Sequence, residues 1–116
     1  MLVVDGQKNI TITKGDSFEL TLIPYADDEH TSVYMLSEGE RFVLSIRLEA
    51  DDVPVIEKVA TSQAEDGSFG YSFSASETKM LLAVPYIYDI AVISADGEEK
   101  NTFIGGEEVK KIFKVV

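Results

Sequence analysis

The sequence predicts an all-β fold: an antiparallel β-sandwich of about seven to nine short strands with one short helix near residues 76–82. Several segments alternate apolar and polar residues with a period of two, which is typical of strands that bury one face. Turn signals such as Asp66-Gly67 and Asp96-Gly97 separate these segments at intervals of roughly ten residues. With 116 residues, the chain is expected to form a single β-sandwich domain, 1–116, that buries a core without disulfides or metal.

The clearest strand signal is the segment 86–93. Its even positions form one bulky apolar face, made of Tyr86, Tyr88, Ile90 and Val92. Asp96-Gly97 then predicts a type I′ turn, in which both central residues have positive φ, and the chain returns to Phe103 and Ile104. We expect this hairpin at the centre of its sheet. Asp89, on the opposite face, is expected to pair with a Lys or Arg across strands or to face solvent.

The remaining strands are predicted in order along the chain. Their expected ranges are 2–4, 9–13, 18–22, 41–48, 55–62, 69–73 and 109–116. Residues 33–36 fit either a short strand or a segment that covers the core. Ser74 and Glu77 form a capping-box pattern, with Ser76 as an alternative cap, and the helix should stop before Pro85.

Charge and composition exclude several classes of function. The chain has 21 acidic and 10 basic side chains, a net charge of −11, so nucleic acid and anionic membranes are poor partners. It has no cysteine, which excludes disulfides and thiolate metal sites. No apolar run reaches the roughly 18 residues of a membrane helix. The first residues lack a basic n-region, so we expect no signal peptide and a cytoplasmic location.

No catalytic residue, cofactor or metal is expected. His30 is the single histidine, and it lacks a second histidine or a cysteine to complete a metal site. Paired carboxylates occur where turns are expected, at Asp27-Asp28, Asp51-Asp52, Glu98-Glu99 and Glu107-Glu108. Calcium would favour such oxygens, but the ligand spacing of a calcium loop is absent. We therefore interpret His30 and these carboxylates as solvated loop residues of a protein that is not an enzyme.

The least patterned stretch is 25–40, which we predict to be an exposed loop. Loops carry binding function more often than the elements they connect. The candidate interaction residues are Tyr25, Asp27, Asp28, His30 and Tyr34.

A series of motifs runs in order along the chain. They are Ile10-Thr11-Ile12-Thr13-Lys14-Gly15-Asp16, Gly67-Ser68-Phe69-Gly70-Tyr71-Ser72-Phe73, Ser76-Glu77-Thr78-Lys79-Met80-Leu81, Pro85-Tyr86-Ile87-Tyr88-Asp89-Ile90, Ala95-Asp96-Gly97 and Ile112-Phe113-Lys114-Val115. Together they resemble the immunoglobulin-like N-terminal domain of phage baseplate upper proteins and related prophage tail proteins of Gram-positive bacteria. Val84-Pro85 stands where that family often has a glycine, and 25–40 matches no part of its pattern.

The resemblance implies an immunoglobulin-like sandwich with a structural, non-catalytic role in a phage or prophage tail or baseplate. Such a virion component would assemble in the bacterial cytoplasm and dock to other tail or baseplate subunits through sheet edges or loops. Self-association through sheet edges is a further expectation. The alternative is an immunoglobulin-like binding module that recognises a cell-surface glycan or protein through loops 25–40 and 50–54. A third hypothesis, an acid–base hydrolase, requires His30 beside a carboxylate in a pocket.

Overall fold

The computed structural model describes residues 2–26, 31–49, 53–105 and 111–116. Within these ranges it contains nine strands and one short helix, which confirms the all-β prediction. In chain order they are β1 (Leu2–Val4), β2 (Ile10–Ile12), β3 (Phe18–Leu22), β4 (Arg41–Arg47), β5 (Ile56–Ala60), β6 (Phe69–Phe73), α1 (Ala75–Lys79), β7 (Pro85–Ile93), β8 (Lys100–Ile104) and β9 (Lys111–Val115).

Strand β7 organises the larger of two sheets. That sheet follows the path β1-β2-β9-β7-β4-β5, with β8 also paired to β7, while β3 and β6 form a separate antiparallel pair. On one side, β7 pairs with β4 from Ile87, which lies opposite Arg47, to Ile93, which lies opposite Arg41. On the other side its first half pairs with β9 and its second half with β8. The prediction of a central hairpin over 86–104 is confirmed.

One strand pair departs from the antiparallel prediction. β2 and β9 run parallel, with Ile10 opposite Phe113. The Ile112 amide donates to the Asn9 side-chain oxygen at 3.0 Å, and the Val116 amide donates to the Ile12 carbonyl at 3.0 Å. Alternation along a strand determines which face is buried, but not which strand lies beside it. The expectation of a wholly antiparallel fold was therefore wrong, and the larger sheet is mixed and curled.

Aromatic rings join the two sheets across the core. Phe42 of β4 stacks on Phe69 of β6 with 3.9 Å between ring centroids, and Phe73 of β6 lies 6.1 Å from Phe113 of β9. Tyr86 and Tyr88 are each only 4% exposed, so the tyrosines of the strongest motif belong to the core. Each fully buried large side chain contributes roughly 1.5–3 kcal/mol to folding.

Helix α1 is fixed by its cap and by one buried threonine. The capping box is confirmed, because the Ser74 hydroxyl accepts from the Glu77 amide while the Glu77 carboxylate accepts from the Ser74 amide. Thr78, 0% exposed, donates its hydroxyl to the Asp16 carbonyl at 2.7 Å and accepts from the Gly15 amide at 3.0 Å. These bonds fasten α1 to the turn between β2 and β3.

The turn between β7 and β8 differs from the predicted type I′ geometry. Gly97 has φ +78°, but Asp96 does not have positive φ. The Gly97 amide donates to the Ser94 carbonyl at 2.9 Å, and the Ser94 amide donates to the Glu99 carbonyl at 3.0 Å. The Asp96 carboxylate instead accepts from the Glu98 amide. This longer loop requires a left-handed residue only at Gly97.

Candidate functional site

The predicted interaction loop is closed at its base by backbone pairing. Tyr25 and Val33 form an antiparallel bridge, and the Tyr34 amide donates to the Pro24 carbonyl at 2.8 Å. The candidate residues Asp27, Asp28 and His30 lie outside the described residues. Of the five candidates, the structure thus places only Tyr25 and Tyr34, both half-buried.

The side chain of Tyr34 is held in place through both its hydroxyl and its ring. Its hydroxyl donates to the Glu40 carboxylate at 2.8 Å, and its ring packs edge-on against Phe103 with 5.4 Å between centroids. Its hydrogen bond to Glu40, together with burial, raises the pKa of Tyr34. Because the Tyr34 ring covers the edge of the core in this way, it exposes little of its flat face for contact with the sugar of a glycan. Tyr34 and Leu36 pack against the core, so the segment 33–36 has the second of the two roles that the sequence left open, that of covering the core.

Gln63 holds this covering segment in place. Its side-chain amide donates to the Tyr34 and Gly67 carbonyls, each at 2.8 Å. Its carbonyl oxygen accepts from the Leu36 amide at 2.7 Å. Gln63 was not predicted from the sequence, because a single glutamine beyond the end of a predicted strand has no motif that marks these three hydrogen bonds.

The two loops of the alternative hypothesis lie at opposite ends of β4. Segment 25–40 leads into Arg41, and segment 50–54 follows the end of β4 at Arg47. Six residue steps of extended strand separate these ends by about 20 Å. The described residues that flank the two loops therefore lie at opposite ends of one strand. Of 50–54, only residues 53 and 54 lie within the described ranges.

A groove of about 280 Å³ lies on the side of the larger sheet that faces away from the core. Its lining comes from β4, β5, β7 and β8: Arg41, Val43, Ser45, Arg47, Glu57, Val59, Asp89, Ala91, Ile93 and Lys100. We call this surface the outer face. Val43, Ser45 and Ala91 are 9%, 5% and 1% exposed, and longer side chains line the groove around them. These short residues make the floor of the groove.

Asp89 pairs with two cations of the outer face. Its carboxylate lies 2.8 Å from the Arg47 guanidinium and 3.8 Å from the Lys100 ammonium. The expectation that Asp89 pairs with a cation across strands is confirmed. Arg41, at the other end of β4, donates to the Ser94 carbonyl at 3.1 Å.

The outer face was not predicted as a site, although its residues alternate with the core residues. The signal that could have revealed it is the run of odd positions Arg41, Val43, Ser45 and Arg47 along β4, opposite Asp89 and Ala91 on β7. Small residues between charged ones, on a sheet face that no described element covers, leave room for a groove. The alternation of apolar and polar residues alone predicts only that such positions face solvent.

The described ranges contain neither a clustered metal site nor a membrane-spanning helix. There, no group of three or more His, Cys, Asp or Glu side chains is placed to hold a metal ion. No helix among the same residues is both long and apolar enough to cross a bilayer. A scan of protein-family models finds no match to the chain, and a search of curated proteins finds no significant match.

Proposed function

We propose that the chain is a non-catalytic structural domain of a phage or prophage tail or baseplate particle, assembled in the bacterial cytoplasm, that docks to other subunits. The observation that carries this proposal is that the larger sheet has open edges. β1 and β5 end its path and β8 pairs with β7 alone, so within the described residues no strand pairs with the outer side of these three strands. An open edge presents unpaired backbone N–H and C=O groups to which a neighbouring chain can add a strand.

We further infer an immunoglobulin-like arrangement of the strands. β2, β9, β7, β4 and β5 lie side by side, and rings of β4 and β9 contact rings of β6 across the core. Helix α1 lies between β6 and β7, on the connection from the small sheet to the large one. Motif residues shared with the tail-protein family, including Ile10, Tyr86 and Phe113, are buried where the sheets meet.

Of these edges, β1 is the best docking strand. β5 carries Glu57 and Lys58 and β8 carries Lys100, and charges on an edge strand discourage strand addition. β1 consists of Leu2, Val3 and Val4 alone, and the two valines are 46% and 47% exposed. We propose that a neighbouring tail or baseplate subunit pairs with β1.

Co-expression with the products of the adjacent open reading frames tests this proposal. We expect a stable complex with at least one product. A Val3→Lys variant should lose the complex, because a charge on the edge opposes strand addition. Val53→Lys is the matched control, since Val53 is 83% exposed and lies outside β1. Neighbouring genes for metabolic enzymes, together with no captured subunit, would overturn the proposal.

A further inference from the structure

The groove of the outer face has a buried hydroxyl in its floor. Ser45 and Thr78 are the buried polar side chains of the described ranges, with 5% and 0% exposed. Thr78 bonds to Asp16 and Gly15, whereas the side chain of Ser45 makes no hydrogen bond to any described residue. Nearly all buried polar groups in folded proteins have a partner. Because Ser45 lines the groove, its unpartnered hydroxyl indicates a binding site for a polar molecule there.

Two carboxylates flank Ser45 in a row that runs across the sheet. Glu57 of β5 lies opposite Ser45 on one side, and Asp89 of β7 lies opposite it on the other. Residues that lie opposite each other on neighbouring strands have Cβ atoms about 5 Å apart. The row therefore presents three oxygen-bearing side chains at a regular spacing, and they can contact different hydroxyl groups of one small ligand.

Cations of the same groove supply hydrogen-bond donors. The Arg47 guanidinium and the Lys100 ammonium both lie at Asp89 and neutralise its carboxylate. The side chain of Lys100 is 51% exposed, and an ammonium has three N–H groups, so Lys100 can donate to a ligand as well as to Asp89. The groove thus combines donors and acceptors within the reach of one molecule.

The charges of the lining exclude most classes of ligand. An anion would be repelled by Glu57 and by the net charge of −11. A cation would meet Arg47 and Lys100 in the same groove. An apolar molecule would take these charged groups out of water without replacing their hydrogen bonds. Hydroxyl groups both donate and accept, so a neutral molecule with several of them satisfies the carboxylates, the ammonium and Ser45 together.

The floor and the volume of the groove indicate the size of this ligand. Val43 and Ala91 lie two residues along their strands from Ser45 and Asp89, so they give the floor an apolar part. The volume of about 280 Å³ is at the lower end for small-molecule sites, roughly 300–1,000 Å³. We propose that the groove binds one ring of a neutral saccharide, with the C–H groups of the ring on Val43 and Ala91. This inference does not depend on a role in a phage tail.

Titrations followed by NMR of the backbone amide signals test the proposal with defined probes. The probes are glucose, galactose, mannose and N-acetylglucosamine, each as the free sugar and as the methyl glycoside, added to about 50 mM. We expect at least one sugar to bind with a dissociation constant on the order of 1–10 mM. Its saturable shifts should include the amides of Ser45, Asp89 and Ala91. Binding of a methyl glycoside identifies a sugar within a glycan chain, and binding of the free sugar alone identifies a soluble saccharide.

Two cross-strand pairs of the same kind provide matched variants. Ser45→Ala and Glu57→Ala each remove a group of the groove and should weaken the dissociation constant about fivefold or more, because each removes a hydrogen bond to the sugar. Glu19 and Ser72 are the controls, since they lie opposite each other on the small sheet and both are exposed. Glu19→Ala and Ser72→Ala should leave the dissociation constant unchanged.

Circular dichroism melting verifies that each variant is folded. If Ser45→Ala does not fold, Glu57→Ala decides the matter, because Glu57 is exposed. The inference is overturned if none of the eight probes shifts the groove amides at about 50 mM. It is equally overturned if a sugar binds as tightly to Ser45→Ala and Glu57→Ala as to the wild-type chain, or if its shifts lie on the small sheet.

Discussion

The Arg47 guanidinium donates to the Asp89 carboxylate at 2.8 Å across the two central strands, β4 and β7. Their side chains are only 20% and 16% exposed, so this pair is shielded from water more than most surface ion pairs. It explains a carboxylate in the middle of the most apolar strand. The charge is neutralised within the fold and requires no catalytic role.

A double-mutant cycle measures how much this ion pair stabilises the fold. We expect Arg47→Ala and Asp89→Ala each to lower the free energy of unfolding by about 1–2 kcal/mol, with a coupling energy of about 1 kcal/mol. Urea denaturation of the four proteins gives these values. A coupling energy indistinguishable from zero would show that the contact is electrostatically unimportant.

Two buried tyrosines of the core should respond in opposite ways to loss of the hydroxyl. The Tyr88 hydroxyl donates to the Lys8 carbonyl, so Tyr88→Phe should cost about 1–2 kcal/mol of unfolding free energy. The Tyr71 hydroxyl is buried without a hydrogen-bond partner in the described structure. Tyr71→Phe should therefore be neutral or stabilising by up to about 1 kcal/mol. Equal losses in the two variants, measured by urea denaturation, would contradict this assignment.

Alkaline pH should unfold the protein through the same tyrosines. Burial is the main cause that raises the pKa of Tyr88 from 10.0 to about 12, and it also raises that of Tyr71. Between about pH 10 and 12 the unfolded chain loses these protons while the folded chain keeps them. Stability is thus complete below about pH 10 and falls as the pH rises. Tyr88→Phe should flatten that fall, and an unchanged pH profile in this variant would exclude the mechanism.

Substitutions at two glycines distinguish the cost of backbone strain from the cost of a steric clash. Gly15 and Gly67 have φ of +87° and +89°. A Cβ at Gly15 would meet nothing within 4 Å, whereas one at Gly67 would lie 2.2 Å from Val33 Cγ1. Gly15→Ala should cost about 1 kcal/mol of unfolding free energy from the left-handed backbone alone. Gly67→Ala should cost at least about 1 kcal/mol more, through the clash that it adds.

Removing the obstructing methyls provides the control for that comparison. In a Val33→Ala background, the cost of Gly67→Ala should fall to that of Gly15→Ala. Thermal or urea denaturation of the set checks this order. Equal costs for Gly15→Ala and Gly67→Ala in the wild-type background would mean that Val33 does not pack against the turn.

The attachment of α1 depends on the hydroxyl of Thr78. Thr78→Val keeps the volume of the side chain but removes the hydroxyl that bonds to the Gly15 amide and the Asp16 carbonyl. We expect a loss of about 2–3 kcal/mol of unfolding free energy, because both groups lose a hydrogen bond in a buried setting. Thr78→Ser retains the hydroxyl and should cost less than half as much. A Thr78→Ser variant as unstable as Thr78→Val would attribute the effect to the methyl group.

The sequence was informative where local rules decide the outcome. The apolar face of Tyr86 and Tyr88 and the capping box of Ser74 and Glu77 follow from residues close together in the chain. The turn at Asp96 differed because the Asp96 carboxylate accepts from the Glu98 amide and favours a longer loop. In each of these cases the deciding contacts are local.

Contacts between distant segments were not predictable in the same way. The parallel pairing of β2 with β9 joins residues about a hundred positions apart, and alternation carries no signal for that choice. Gln63 acts through backbone groups of other segments. The groove depends on which strand lies beside β4, since Asp89 and Ala91 reach the outer face only in that register.

We propose above all that this chain is a structural component of a phage or prophage tail or baseplate particle. Quantitative mass spectrometry of purified phage or induced prophage particles tests it most directly, by the ratio of this chain to the major tail proteins. We expect the chain in every preparation at one fixed stoichiometric ratio. Its absence from intact particles, or a ratio that varies from one preparation to the next, would contradict the claim.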